Sequence, residues 1–248
     1  MALEGEIVHW VSDIGGRAEM EDEHVLEVES VSPLRVLGAV FDGHGGSLVA
    51  RLAARRFPAL FREALPGGPE AAMRAAYEAI QREAAGLRGG SVAATFYIDG
   101  PRITVANAGD AHVVNVTKDA AACFTEEHRI TNKAELERVV DAGARIWGPY
   151  MCVPDGNGLM VTRSLGDYEF ERVGLLWEPI VSSHPLEPGF LVAACDGLWD
   201  VMKVDELPVL LRDATTAKEA VDRLAHEALH VRKTGDNLTV LAVRVPAR

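Results

Sequence analysis

Val40-Phe41-Asp42-Gly43-His44-Gly45-Gly46 is the turning point of this chain. The apolar run over residues 34–41 reads as a buried strand, and it stops at a carboxylate, a glycine and an imidazole. A glycine pair follows, and then a helical pattern begins, with Leu48, Val49, Leu52, Ala53 and Leu60 on one side. A strand that ends in charge delivers that charge to a sheet edge, where water and cations can reach it. Asp42 has two oxygens with which to bridge two divalent ions. Gly43 has no Cβ to keep its carbonyl from turning toward a cation, and His44 is a residue type that holds a proton for a leaving group. Taken alone, the stretch also fits a simple turn beside a solvated histidine. Its meaning depends on what surrounds it.

Toward the N-terminus, residues 6–12 and 25–31 read as strands. Between them, the turn Asp13-Ile14-Gly15-Gly16 leads into Arg17, four and five positions ahead of Glu21 and Asp22, a spacing that also suits a local ion pair. Toward the C-terminus, residues 45–65 read as a helix that Pro58 is expected to kink or split. Residues 70–87 form a second helix with an alanine stripe that belongs to the core. Period two then takes over. Strands at 91–98, 102–108 and 111–117 read as an antiparallel meander, in which Asn107-Ala108-Gly109-Asp110 is a hairpin turn with a carboxylate. A short helix at 132–142 is followed by an irregular stretch at 148–158, a candidate flap, and a short strand at 180–183. The apolar strand at 190–195 again ends in charge, in the turn Asp196-Gly197-Leu198-Trp199-Asp200. Two helices follow, the second opened by a capping box, Thr216-Ala217-Lys218-Glu219. Thr234-Gly235-Asp236-Asn237 then opens a last strand at 238–245. No repeat, linker or composition break appears, so residues 1–248 read as one domain.

The 248 residues carry a formal charge of −12, which argues against nucleic acid or an anionic membrane as a partner. Cys123, Cys152 and Cys195 are widely spaced and read as free thiols of a reducing compartment. With no basic and apolar leader and no membrane-length apolar run, a cytoplasmic location is expected.

Asp42, Asp196 and Asp236 stand at or near strand ends, and Glu21 just ahead of a strand. Oxygen ligands of high charge, without a Cys/His cluster, select hard divalent ions such as Mg²⁺ or Mn²⁺. Two such ions about 3.5–4 Å apart lower the pKa of a shared water. Arg17 adds a donor fork that fits phosphate oxygens. Together with a histidine proton donor, these groups describe phosphoester hydrolysis. No cysteine-based phosphate loop and no G-x-S-x-G element is present to support a covalent route.

Six stretches in order resemble the metal-dependent Ser/Thr protein phosphatases of type 2C, the PPM family. They are Gly16-Arg17-Ala18-Glu19-Met20-Glu21-Asp22, Phe41-Asp42-Gly43-His44-Gly45-Gly46, Asn107-Ala108-Gly109-Asp110, Arg163-Ser164-Leu165-Gly166-Asp167, Cys195-Asp196-Gly197-Leu198-Trp199-Asp200 and Gly235-Asp236-Asn237. The resemblance implies an α+β fold, a β-sandwich of two antiparallel sheets flanked by helices on both faces. It implies hydrolysis of phosphoserine and phosphothreonine by a metal-bridging hydroxide, with two or three Mn²⁺ or Mg²⁺ ions as cofactors. Asp42 would bridge two metals and the Gly43 carbonyl would ligate one. Asp196 and Asp236 would ligate the other, Glu21 would act through water, and Asp22 would support that shell. Arg17 would hold the substrate phosphate and His44 would protonate the departing oxygen. Asp110 and Asp200 resemble the positions of a third, weaker metal. Partners would be phosphorylated Ser/Thr proteins and a Ser/Thr kinase counterpart, with the chain acting as a monomer. A catalytically weak phosphoprotein-binding module of the same fold and a small-phosphoester hydrolase are the alternatives. His112, Thr162 and Ser164 depart from the residues common in the family, where Arg, Ser and Ala are usual.

Overall fold

A computed structural model describes residues 5–154 and 156–247; residues 1–4, 155 and 248 of the 1–248 span, including Asp155 in the candidate flap, lie outside the described residues. In chain order the elements begin with β1 (Val8–Asp13), β2 (Glu23–Val31), β3 (Leu34–His44), α1 (Leu48–Ala64) and α2 (Pro69–Glu83). Then come β4 (Gly90–Asp99), β5 (Arg102–Ala108), β6 (His112–Val116), β7 (Ala121–Cys123) and α3 (Lys133–Asp141). Three very short strands follow, β8 (Arg145–Trp147), β9 (Tyr150–Cys152) and β10 (Gly158–Leu159), and then β11 (Leu165–Gly166) and α4 (Tyr168–Glu171). The chain closes with β12 (Ile180–Pro185), β13 (Gly189–Ala194), α5 (Asp196–Trp199), α6 (Leu207–Leu210), α7 (Ala217–His226) and β14 (Leu238–Val245).

Two antiparallel sheets face each other. One runs β12-β5-β4-β3-β2, with β11 added alongside β4; the other runs β1-β14-β13-β6-β7. Strand β3 shows why its sequence is apolar throughout. Val36 and Val40 enter the core between the sheets, while Leu37, Ala39 and Phe41 enter the core beneath α1 and α2. A strand buried on both faces reads as a continuous apolar run. On the far side, Val114, Val192 and Val240 pack against Val221 and Leu224 of α7. The layers are therefore helix, sheet, sheet, helix, the α+β sandwich expected from the sequence.

The structure differs from the local sequence pattern at several points. Pro58 lies inside α1, which runs unbroken over Leu48–Ala64 and so is not split there. Phe57 and Phe61 on either side of it are fully buried, with ring contacts running from Phe41 through Phe57 to Phe61. Burying such a side chain contributes about 1.5–3 kcal/mol, enough to offset the roughly 3 kcal/mol cost of an interior proline. The meander is also wrong at its last step. β4 and β5 pair, but β6 pairs with β13 and β7 in the opposite sheet. The Asn107–Asp110 turn is thus a crossing between sheets, and the alternation of apolar residues is the same for either partner. Of the capping box only half forms: Thr216 Oγ1 accepts from the Glu219 N–H at 3.1 Å, while the Glu219 carboxylate takes the Thr215 N–H at 2.7 Å. The stretch at 148–158 contains ordered strands, with β9 paired to both β8 and β10. Met151 and Val153 bind it to a small core with Val139, Phe170, Val173 and Leu175.

Candidate metal centre

The strand ends converge. Arg17, Glu21, Asp42, Gly43, His44, Asp110, Asp196, Asp200 and Asp236 all line one cleft of about 270 Å³ at the edge of the sandwich. Asp22, 5% exposed, lies under it beside Asp42 and Cys195, and these three place ligand atoms within 4.8 Å of one another. A larger hollow of about 570 Å³ shares His44, Gly158 and Leu159 with the cleft. The smaller cleft holds the carboxylates, and a hard ion requires them more than it requires space.

Close backbone approach holds the loops in register. A Cβ on Gly43 would collide with the Glu21 carbonyl, and one on Gly197 with the Asn237 carbonyl. Gly43 is therefore needed for packing between loops, beyond freeing its own carbonyl. Asn237 is the staple that the sequence reading passed over. Its side-chain amide donates to the carbonyls of Ile14 and Glu19 at 2.9 and 3.0 Å, and its Oδ1 accepts from the Glu21 N–H at 2.9 Å. It thereby ties the loop that carries Arg17, Glu21 and Asp22 to the start of β14. The asparagine carboxamide can donate two bonds and accept others at once. Arg17 pairs with Asp236 at 2.6 Å rather than with Glu21 or Asp22, and stays more than half exposed at the rim.

The carboxylates are crowded. Burial pushes Asp42 well above the usual carboxylate range, and the charges of Asp196, Asp22, Asp110 and Asp236 add to the effect. Burial, then Asp110, Asp200 and Asp236, raise Asp196 to about 7. Burial raises Asp22 to about 6 against hydrogen bonds from Thr239 and Cys195. Asp22 Oδ2 is buried without a hydrogen-bond partner among the described residues. Buried acids that repel one another, with an orphaned oxygen among them, fit a pair of hard divalent ions. Cys195 is not of that kind. Burial raises its thiol well above the ordinary range, and the sulfur accepts from the Thr239 N–H and faces the Asn237 carbonyl.

His44 does not stand free. Its Nε2 donates to Asp167 Oδ2 at 2.5 Å, and Ser164 Oγ donates to the same oxygen at 2.5 Å. Burial opposes the charged imidazole, but the Asp167 carboxylate outweighs it and the histidine is raised overall. Asp167, at φ 49°, holds a left-handed conformation that aspartate tolerates better than most residues. Of the departures from the family pattern, Ser164 thus serves the His44 pair, and Thr162 donates to Glu135, which also grips Arg163. His112 shares a hydrogen bond with Thr125, packs edge-on to Trp199 and does not line the cleft.

Asp110 and Asp200 stand beside Asp196 as the motifs suggest, but a guanidinium lies among them. Arg129 Nε donates to Asp110, Nη1 to Asp200 Oδ1 at 2.8 Å and Nη2 to Asp196 Oδ2 at 3.0 Å. Nothing in the sequence around Arg129 announces three partners distant in the chain.

A family model described as "Protein phosphatase 2C" matches residues 12–238. A relative in Oryza sativa subsp. japonica, "Probable protein phosphatase 2C 45", is 31% identical over 95% of this chain and 86% of its own. Another from the same plant, "Probable protein phosphatase 2C 59", is 30% identical over 95% of this chain and 74% of its own. Among solved structures, "Structure of a C.elegans sex determining protein" superposes with a TM-score of 0.82 at 23% identity, over 98% of this chain and 65% of that one. A serine-threonine phosphatase 2C from Toxoplasma gondii superposes with a TM-score of 0.77 at 20% identity, over 97% and 95%. At these identities the structural likeness speaks to the fold.

Proposed function

This chain belongs to the protein phosphatase 2C family, and on that premise we propose that it is a Mn²⁺- or Mg²⁺-dependent protein serine/threonine phosphatase. The observation that carries the reading is the meeting of Asp42, Asp196 and Asp236 in one cleft with Arg17 and His44. Asp42, the Gly43 carbonyl, Asp196 and Asp236 would hold two ions, with Glu21 acting through water and Asp22 supporting Asp42. Two divalent ions, when bound, lower the pKa of a shared water and offset phosphate charge.

The remaining work falls to the chain. Arg17, exposed at the rim, exchanges Asp236 for the substrate phosphate and orients it through its planar fork. Asp167 occupies Nε2 of His44 and keeps the imidazole protonated, leaving Nδ1 to deliver a proton to the departing serine or threonine oxygen. Residues 1–248 act as one domain and a monomer, on phosphorylated Ser/Thr proteins and opposite a Ser/Thr kinase, in the cytoplasm. Among the described residues, no helix is long and apolar enough to cross a membrane.

Phosphate release from a phosphothreonine peptide with and without Mn²⁺ tests the reading. Mn²⁺ is expected to switch activity on, EDTA to remove it reversibly, and Asp42→Ala to lower it by at least about 10³-fold. Near-native turnover by Asp42→Ala would refute the assignment. Turnover of small phosphates with none of the peptide would favour the small-phosphoester alternative, and Mn²⁺ binding without turnover of either would favour a binding module.

A further inference from the structure

Arg129 stands where the family resemblance calls for an ion. Its side chain is 15% exposed and it bonds Asp110, Asp196 and Asp200 together, with Asp110 only 4% exposed. These are the acids that would have to supply a third metal. The position of Arg129 is not that of a surface side chain free to swing. The preceding residue, His128, is fully buried; its Nδ1 accepts from the Gly109 N–H at 3.1 Å, and its own N–H donates to the Gly109 carbonyl at 3.1 Å. On the other side, the Thr162 N–H donates to the His128 carbonyl at 2.8 Å, and Arg129 forms an antiparallel bridge with Val161. The backbone is thus clamped between the turn that carries Asp110 and the strand-like segment before Arg163. From that anchor the guanidinium bonds Asp110, Asp196 and Asp200.

We propose that Arg129 is a built-in cation that takes the place of a third metal ion, so that this chain binds two divalent ions and no third. The inference rests on the reading of Asp42, Asp196 and Asp236 as ligands of an ion pair. Arg129 uses Oδ2 of Asp196 and leaves its other oxygen to that pair. A guanidinium directs fixed N–H donors at carboxylates and cannot lose its proton at any working pH. It therefore sets one fixed positive charge among Asp110, Asp196 and Asp200 at every ion concentration, whereas an exchangeable ion would do so only above its dissociation constant. An entering ion would have to displace a half-buried guanidinium from three carboxylates at once.

The test counts ions rather than turnover. The full chain, its Arg129→Met variant and its Asp200→Asn variant are dialysed against Mn²⁺ up to millimolar concentration, and bound Mn²⁺ per chain is measured. The expected counts are two for the wild type, three for R129M and two for D200N. Three ions on the wild type, or two on R129M, would overturn the proposal. Should R129M fail to fold by circular dichroism, D200N decides: an unchanged count supports the proposal, and a count lower by one overturns it. No Mn²⁺ on the wild type would overturn the two-ion reading and this inference with it, whereas three would leave the phosphatase reading standing.

Discussion

At the scale of single residues, the cleft is organised by pairings between residues far apart in the chain. His44 could be picked out because a histidine after Asp-Gly at a strand end is a candidate proton donor. Asp167 could not, because 123 positions separate the two and nothing local marks the contact. The pairing sets an expectation. His44→Ala should slow hydrolysis of alkyl phosphates by about 10²–10⁴-fold, while aryl phosphates, whose leaving groups need no proton, should lose less than roughly tenfold. Asp167→Asn should show the same selectivity to a smaller degree. Matched rate measurements on a phosphothreonine peptide and an aryl phosphate decide the matter. Equal losses on both would remove His44 from the proton-donor role.

At the scale of elements, the strands were readable because their residues are apolar on both faces or alternate, and the helices because their apolar residues fall on a stripe. Boundaries and partners were harder. The helix after β3 starts at Leu48 rather than at 45, since Gly45 and Gly46 adopt positive φ. The loop before β2 looked like a self-contained turn, yet its geometry comes from Asn237 at the opposite end of the chain. Asn237→Ala should therefore cost roughly 1–3 kcal/mol of stability through lost and unsatisfied buried hydrogen bonds. Loosening Arg17 and Glu21 should also weaken Mn²⁺ binding. Denaturant unfolding and Mn²⁺ titration of the variant check both effects, and a stability change below about 0.5 kcal/mol would show that the loop holds itself.

At the scale of the whole molecule, the sandwich gathers more negative charge at one edge than the chain alone can neutralise. Asp22 at about 6 and Asp196 at about 7 both lie above their ordinary values. The ion-free native state therefore keeps protons that the unfolded chain has already lost. The contribution of these acids to stability falls as pH rises from about 4 through 7. Bound ions must expel those protons, so Mn²⁺ affinity should rise across the same window. Thermal melts at about pH 5.5, 6.5 and 7.5 should show the gap between Mn²⁺-loaded and ion-free protein widening with pH. At an ion concentration 100 times the dissociation constant, the gain is about 2.7 kcal/mol, roughly 5–10 °C for a chain of this size. A gap that stays constant or narrows with pH would contradict the crowded-carboxylate account. The sequence by itself determined the strand and helix types, the acidic strand ends and the family those ends resemble, because short-range sterics and burial periodicity are written in neighbouring residues. Only the tertiary structure decided that β5 and β6 part company, that Asn237 staples the first loop, that Asp167 holds His44 and that Arg129 sits among Asp110, Asp196 and Asp200. These are distances between residues far apart in the chain, and they are set by how sheets pair and pack rather than by any local preference.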